Sequence, residues 1–279
     1  MSDPVAYAAV NLSDAAMAIM ARYSACKWEL AHGYTDYMQG VPAMDGQVVR
    51  AISDSGYGSS VGNAMEMLNW INKDSSTMGT MPVPIMRVKN GKKNSDHTVY
   101  NTFGFWCKKF ASIPGKFLPK NRVPYSIQDA HFAIAAVSIP RLDNTGILFR
   151  ASKAEESYDS ELSFTNSQPR AKWLDASGQS VVLTSPTRLM ANVPSVVTFT
   201  SVAGSQVLRV NSAVVASAKS IFVPSPYSQM LIGWGYQSHY PRDGFMGNIY
   251  SVITGKGAPT ISELKILERY VGMTAGITL

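Results

Sequence analysis

The stretch Gly244-Phe245-Met246-Gly247-Asn248-Ile249-Tyr250-Ser251-Val252-Ile253, followed by Thr260-Ile261-Ser262-Glu263, decides the fold. Phe245, Gly247, Ile249, Ser251 and Ile253 alternate with Met246, Asn248, Tyr250 and Val252, so a strand follows the Asp243-Gly244 turn. Thr260 and Glu263 then stand at capping-box spacing, where hydroxyl and carboxylate each satisfy a free backbone N–H. Leu264, Leu267 and Val271 supply the apolar stripe of a closing helix, which Gly272 or Gly276 ends.

Working back from this end, the period stays at two and turn signals recur every eight to twelve residues as far as Pro82. Candidate strands are 83–88, 98–107, 130–139, 145–151, 158–165, 170–174, 179–184, 195–201, 205–211, 213–217, 228–234 and 244–254. So many strands leave little room for crossover helices, which disfavours parallel α/β architectures. Further back, the spacing of Val61, Ala64, Met65, Leu68 and Ile71 predicts a short helix. Residues 13–32 read as another, with Ser13 as N-cap, Ala16, Ile19, Met20, Tyr23, Cys26 and Leu30 on one stripe, and Gly33 as the stop. The expectation is an all-β antiparallel sandwich over 41–279, a helical N-terminal arm over 1–40 and a capping helix at the C-terminus.

Composition agrees. A chain of 279 residues, 46% of them hydrophobic, can bury one large core, and its Gly 21 and Pro 15 are scattered as turn-rich β-proteins require. Charged residues are only 16%. No eighteen apolar residues run together and no basic start leads into an apolar stretch, so neither membrane insertion nor a secretory leader is expected. Cys26 and Cys107 stand alone and read as buried thiols. From Arg87 to Arg122 nine Lys or Arg face the single acid Asp96, a local balance of +8 in a chain of net charge +6. Such a segment attracts an acidic neighbour, an anionic glycan or nucleic acid, or else blocks strand edges.

The closing segment, with Glu268-Arg269-Tyr270 and Gly276-Ile277-Thr278-Leu279, resembles the end of concanavalin A-like (lectin/glucanase, laminin G-type jelly-roll) domains of bacteria and phages. Three further pieces lie in that family's order: Val48 to Gly58, Phe132 to Val137, and the hairpin Val207-Leu208-Arg209-Val210-Asn211-Ser212-Ala213. Ile52 stands where the family has Trp, Ser212 where it has Gly, and Asn248 where it has an acid. The resemblance covers about 45–279 and implies a sandwich that hosts lectins, glycoside hydrolases, lyases and structural modules.

The hydrolases of that family carry carboxylates at alternate positions of one strand, where they share a face. Here Asp159 and Glu161 are in phase and Glu156 is not, and Lys153 to Glu161 is too polar to suggest the burial that keeps an acid protonated. No catalytic residue is expected. Ser60 in Gly58-Ser59-Ser60-Val61-Gly62 matches a nucleophile elbow only literally, since no buried parallel strand precedes it. His32, His97, His131 and His239 lack ligand spacing, so no metal and no cofactor are expected.

The residues expected to bind glycan are Trp234, Tyr236, His239, Tyr240, Arg242 and Asp243. Aromatic faces there meet sugar C–H groups, and the polar groups bond hydroxyls; packing at the core margin is the alternative. A short helix has no stability of its own, so the arm must lie against the sandwich or against another subunit, and Ile19, Met20 and Tyr23 are expected to serve assembly with a partner. The functional expectation is a virion structural protein, such as a tail fibre, receptor-binding or head decoration component assembled in the host cytoplasm. Its partners are other virion proteins, further copies of itself and possible host surface polysaccharide, with no nucleic acid. A glycoside hydrolase or polysaccharide lyase is the alternative.

Overall fold

The structure is a computed structural model, and it describes residues 4–36, 41–49, 51–53, 64–67, 84–98, 105–108, 130–152, 160–175, 177–202, 204–220, 229–233, 235–237, 240–242 and 244–279. After helix α1 (Pro4–Arg22), the first strands are β1 (Cys26–Glu29), β2 (Tyr34–Asp36), β3 (Val41–Pro42), β4 (Ala51–Ser53) and β5 (Ala64–Met67). The middle of the chain gives β6 (Ile85–Lys89), β7 (Lys92–Asp96), β8 (Phe105–Lys108), β9 (Ala130–Ser138), β10 (Gly146–Ser152), β11 (Ser160–Thr165), β12 (Gln168–Leu174) and β13 (Ser180–Thr184). The last third gives β14 (Ser195–Val202), β15 (Ser205–Val210), β16 (Ala213–Ala218), β17 (Gln229–Ile232), β18 (Gly235–Gln237), β19 (Tyr240–Arg242), β20 (Asn248–Lys256) and helix α2 (Ile261–Thr274).

Two antiparallel sheets form the sandwich. One has eight strands in the order β16-β15-β14-β9-β20-β7-β6, with β1 also on β20; the other has ten, in the order β13-β12-β11-β10-β17-β8-β5-β4-β2-β3. Strand β9 shows why its sequence is apolar without interruption. Ala133, Ala135 and Val137 face the core between the sheets, while Phe132, Ile134 and Ala136 face a second apolar layer made with the two helices. A strand buried on both faces has no reason to alternate.

The helical layer corrects the expected arm. Ile19 and Met20 are buried against the chain's own sheet and α2, in one cluster with Tyr250, Ile253, Leu264, Leu267 and Val271. They are therefore not surfaces offered to a partner. Tyr23 is half-buried, and its hydroxyl donates to the Glu263 carboxylate at 2.9 Å. Arg22 pairs with the same carboxylate. The helix starts at Pro4, where a missing N–H costs nothing, and stops at Arg22 rather than reaching 32. Ser24 takes a left-handed conformation (φ 46°), after which Cys26 to Glu29 pair with Thr254 to Ser251. Trp28 and Cys26 enter the main core, a burial that outweighs helix propensity.

Two other expectations change. Ala64–Met67 is a strand paired with Ala51–Ser53, not part of a helix; 61–63 and 68–71 lie outside the described residues. A strand over Lys92–Asp96 went unforeseen because its residues are polar, although Asn90 (φ 52°) and Gly91 (φ 72°) form the Asn-Gly hairpin turn that the sequence displays. The C-terminal helix is as expected: Glu263 N–H donates to Thr260 Oγ1 at 3.2 Å and Thr260 N–H to Glu263 Oε2 at 2.8 Å.

Candidate functional site

The outer faces of the two sheets differ in kind. That of the eight-stranded sheet is apolar over β9, β14 and β20, where α1 and α2 cover it. On the ten-stranded sheet, Phe149, Ala151, Leu162, Phe164, Ala171 and Trp173 belong to the core between the sheets. Alternation therefore turns Arg150, Glu161, Ser163, Arg170 and Lys172 outward. Register aligns Arg150, Glu161 and Lys172 side by side across β10, β11 and β12, and places Arg170 opposite Ser163. Directly opposed residues of this kind sit roughly 5 Å apart at Cβ. Exposure falls from the edge inward: Val182 is exposed, Arg170 and Lys172 are half-buried, and Glu161, Ser163, Arg150 and Leu231 are buried.

Glu161 corrects a sequence expectation. It is not a solvated acid on a strand edge, because β11 is interior to the sheet and the residue is only 7% exposed. It lies in register between two cations. Glu155, Glu156, Asp159 and Ser60 lie outside the described residues.

The stretch expected to bind glycan is built on a small hairpin, in which Gly235 opposes Arg242, Tyr236 opposes Pro241 and Gln237 opposes Tyr240. Trp234, His239 and Asp243 lie outside the described residues. The base of the hairpin is fixed. Gly233 N–H donates to Leu148 O at 2.8 Å, Phe245 N–H donates to Gly233 O at 2.9 Å, and Gly244 bridges to Ile147. Gly146 permits the approach, since a Cβ there would meet Gly244 O at 2.3 Å. Gly233 is left-handed (φ 83°), and a Cβ on it would strike the His97 ring at 2.9 Å. The hairpin thus leaves the sandwich beside β10, at the margin of the charged row. The sequence marked this hairpin by its aromatic residues. Arg150, Ser163, Arg170 and Lys172 were missed, because only the strand register brings them together; an alternating charged and apolar pattern over 168–174 was the available signal.

Two of the histidines, His97 and His131, are structural. His97 Nε2 and Ser95 Oγ are 2.9 Å apart and His131 Nε2 and Ser160 Oγ 2.7 Å apart, with all four side chains buried. Burial pushes the His97 imidazole down to about 4, with the Asp96 charge opposing, and that of His131 down to about 3. Neutral imidazoles sealed from solvent, each bonded to a serine, have no route to a substrate. Among the described residues no group of three His, Cys, Asp or Glu side chains could hold a metal ion. Cys26 is buried in the main core. No helix among the described residues is long and apolar enough to cross a membrane.

No protein-family model and no curated protein matches the chain. Solved structures do. The Trypanosoma rangeli sialidase, in complex with 2,3-difluoro-KDN, is similar over 96% of this chain and 39% of its own, at 14% identity and TM-score 0.50. The CBM40 of the Ruminococcus gnavus IT-sialidase, bound to α2,3 sialyllactose, covers 51% of this chain and 84% of its own, at 12% identity and TM-score 0.45. Domains LG4-5 of the mouse laminin α1 chain cover 46% of this chain and 35% of their own, at 12% identity and TM-score 0.37. At such identities the likeness shows the fold alone, an antiparallel β-sandwich of the lectin-like kind.

Proposed function

We propose that this chain is a glycan-binding sandwich that holds carbohydrate without cleaving it, on the outer face of the ten-stranded sheet and the adjoining β18–β19 hairpin. The observation that carries the reading is the asymmetry of the two faces: over β9, β14 and β20 one carries an apolar layer roofed by helices, while the other turns half-buried Arg170 and Lys172 outward with buried Glu161, Ser163 and Arg150 behind them. Guanidinium and ammonium donors beside a carboxylate acceptor match the mixed donors and acceptors of sugar hydroxyls. The adjoining hairpin, clamped at its base, carries Tyr236 and Tyr240, residue types whose rings stack on sugar C–H groups. General acid catalysis needs a second carboxyl group about 5–9.5 Å from the first, whereas the register neighbours of Glu161 are Arg150 and Lys172.

The experiment is titration calorimetry against sialyllactose, neutral oligosaccharides and uronic-acid oligomers, with an assay for new reducing ends on the same mixtures. Binding without turnover, weakened tenfold or more by Arg170→Ala with Lys172→Ala, is the expected result. Turnover abolished by Glu161→Gln would establish the hydrolase alternative. We propose further that the setting is a virion surface, on the strength of the phage-like closing segment. A purified chain that forms rings or trimers supports this, and a strict monomer at high concentration counts against it.

A further inference from the structure

The β6–β7 hairpin concentrates charge where the fold does not use it. Arg87, Lys89, Lys92 and Lys93 stand around the Asn90-Gly91 turn, and Lys89 is directly opposite Lys92 in the ladder. Like charges opposed across a strand pair are destabilising. The anions nearby are few. Asp96 pairs with Arg87 at 3.5 Å, and Asp45 accepts the Val88 N–H through Oδ1. Lys89 Nζ donates to the neutral Asn192 Oδ1 at 3.1 Å, and the Lys92 stem lies beside Gly276 at the end of α2. Among the described residues no carboxylate comes within ion-pair distance of Lys89, Lys92 or Lys93.

The usual reason for lysines on an outermost strand is to discourage pairing along a free edge. Here that edge is already closed. Val49 N–H donates to Pro84 O, Met86 N–H to Gln47 O and Gly46 N–H to Met86 O, at 2.8–2.9 Å, and Asp45 takes the Val88 N–H. On the other side β7 pairs with β20 only at Asp96 and Ser95, so Lys92 and Lys93 project past the sheet.

We propose that this hairpin is a second binding element, taking an acidic polysaccharide through Arg87, Lys89 and Lys92, with Lys93 adding charge from the other face of the hairpin. It belongs to the eight-stranded sheet and does not rest on the reading of the ten-stranded sheet's face. Arg87 and Lys89, two residues apart on one strand, span roughly 7 Å, and Lys92 stands opposite Lys89 at roughly 5 Å, so these three cations share one face as a compact cluster suited to carboxylates or sulfates on successive sugar rings, while Lys93, opposite Val88, lies on the other face. Residues 85–96 contain no aromatic side chain, so the stacking platforms that unpaired bases need are missing from the hairpin.

The test uses the full chain with four probes: heparin, polygalacturonate, neutral dextran and a single-stranded DNA oligonucleotide. Heparin or polygalacturonate should bind at low salt, the tighter of the two identifying sulfate or carboxylate, and dextran should not bind through the hairpin. Affinity should fall steeply with added salt. Lys89→Ser with Lys92→Ser and Lys93→Ser should weaken binding tenfold or more at unchanged melting temperature. In a background carrying Arg170→Ala with Lys172→Ala, where the site proposed above is already weakened, the triple substitution should still cost tenfold or more, which separates the two sites. Undiminished binding in the triple variant, or binding of the oligonucleotide more tightly than of either polyanionic glycan, would overturn the proposal.

Discussion

At Ser212 a departure from the family pattern has a physical reason. The turn joining β15 to β16 puts Asn211 at φ 48° and Ser212 at φ 67°, a conformation that suits glycine at the second position. The serine brings a hydroxyl that donates to Glu268 Oε2 at 2.7 Å, and its carbonyl accepts from Arg209 Nη2 at 2.6 Å. Arg209 and Glu268 are themselves a buried pair at 2.8 Å, joining β15 to α2. Ser212→Ala keeps the strained backbone and leaves the carboxylate one donor short, a loss of about 1.5–3 kcal/mol. Ser212→Gly loses the same bond but recovers about 1 kcal/mol of left-handed strain. Denaturant unfolding should therefore rank wild type above glycine and glycine above alanine, and an alanine variant as stable as wild type would refute the account. The buried histidines make a second prediction. Their folded values, about 4 and about 3, lie below the unfolded 6.5. As pH falls below 6.5 the unfolded chain takes up protons that the folded chain refuses, so stability is full above 6.5 and is lost progressively toward 4 and 3. Each unit in that window costs about 1.4 kcal/mol per histidine. Unfolding free energy should already drop between pH 6.5 and 5, before most carboxylates titrate, and His131→Gln should flatten the drop; a level profile there would exclude the mechanism.

Helix α1 is bound by its apolar stripe, and the consequence differs from that of a free arm. Ile19→Asp with Met20→Asp would set two carboxylates into a layer otherwise made of Phe132, Ile134, Tyr250, Leu264 and Leu267. Even Met20→Ala should cost about 2–5 kcal/mol. The aspartate pair should therefore lower the melting temperature sharply or unfold the chain, not merely block association. A folded double variant with unchanged melting temperature would show that α1 does not hold this place. The elements most legible in the sequence were those whose signal is local. The α2 capping box needs only Thr260 and Glu263, and the strands from 130 to 218 alternate or run apolar within their own length. What escaped was set from a distance. Cys26–Glu29 reads as a continuing helix until β20 is beside it, and Ala64–Met67 until Ala51–Ser53 is. The candidate site divides in the same way. Its hairpin could be marked from aromatic residues in one loop, whereas Arg150, Glu161 and Lys172 come from three strands that only register aligns.

Across the whole molecule, the two ends of the chain are built against each other. Helix α1 packs on α2, β1 pairs with β20, and Tyr23 and Arg22 converge on Glu263, some 240 residues away. Closing such a span costs loop entropy that is regained only when both ends have docked on the eight-stranded sheet. The apolar interior is correspondingly in two parts, a main core between the sheets and a layer under the helices, divided by β9, β14 and β20. Residues within one part share neighbours and should couple, whereas residues on opposite sides of a rigid sheet should act independently. Met20 and Leu267 belong to the helical layer, and Leu162 belongs to the main core. Met20→Ala with Leu267→Ala should deviate from additivity by about 0.5–3 kcal/mol, since losing either end already loosens the layer that the other completes. Met20→Ala with Leu162→Ala should add to within about 0.5 kcal/mol. Denaturant unfolding of the four single and double combinations in each cycle decides between them. Equal coupling in both cycles would mean that the helices and the sandwich form one undivided core.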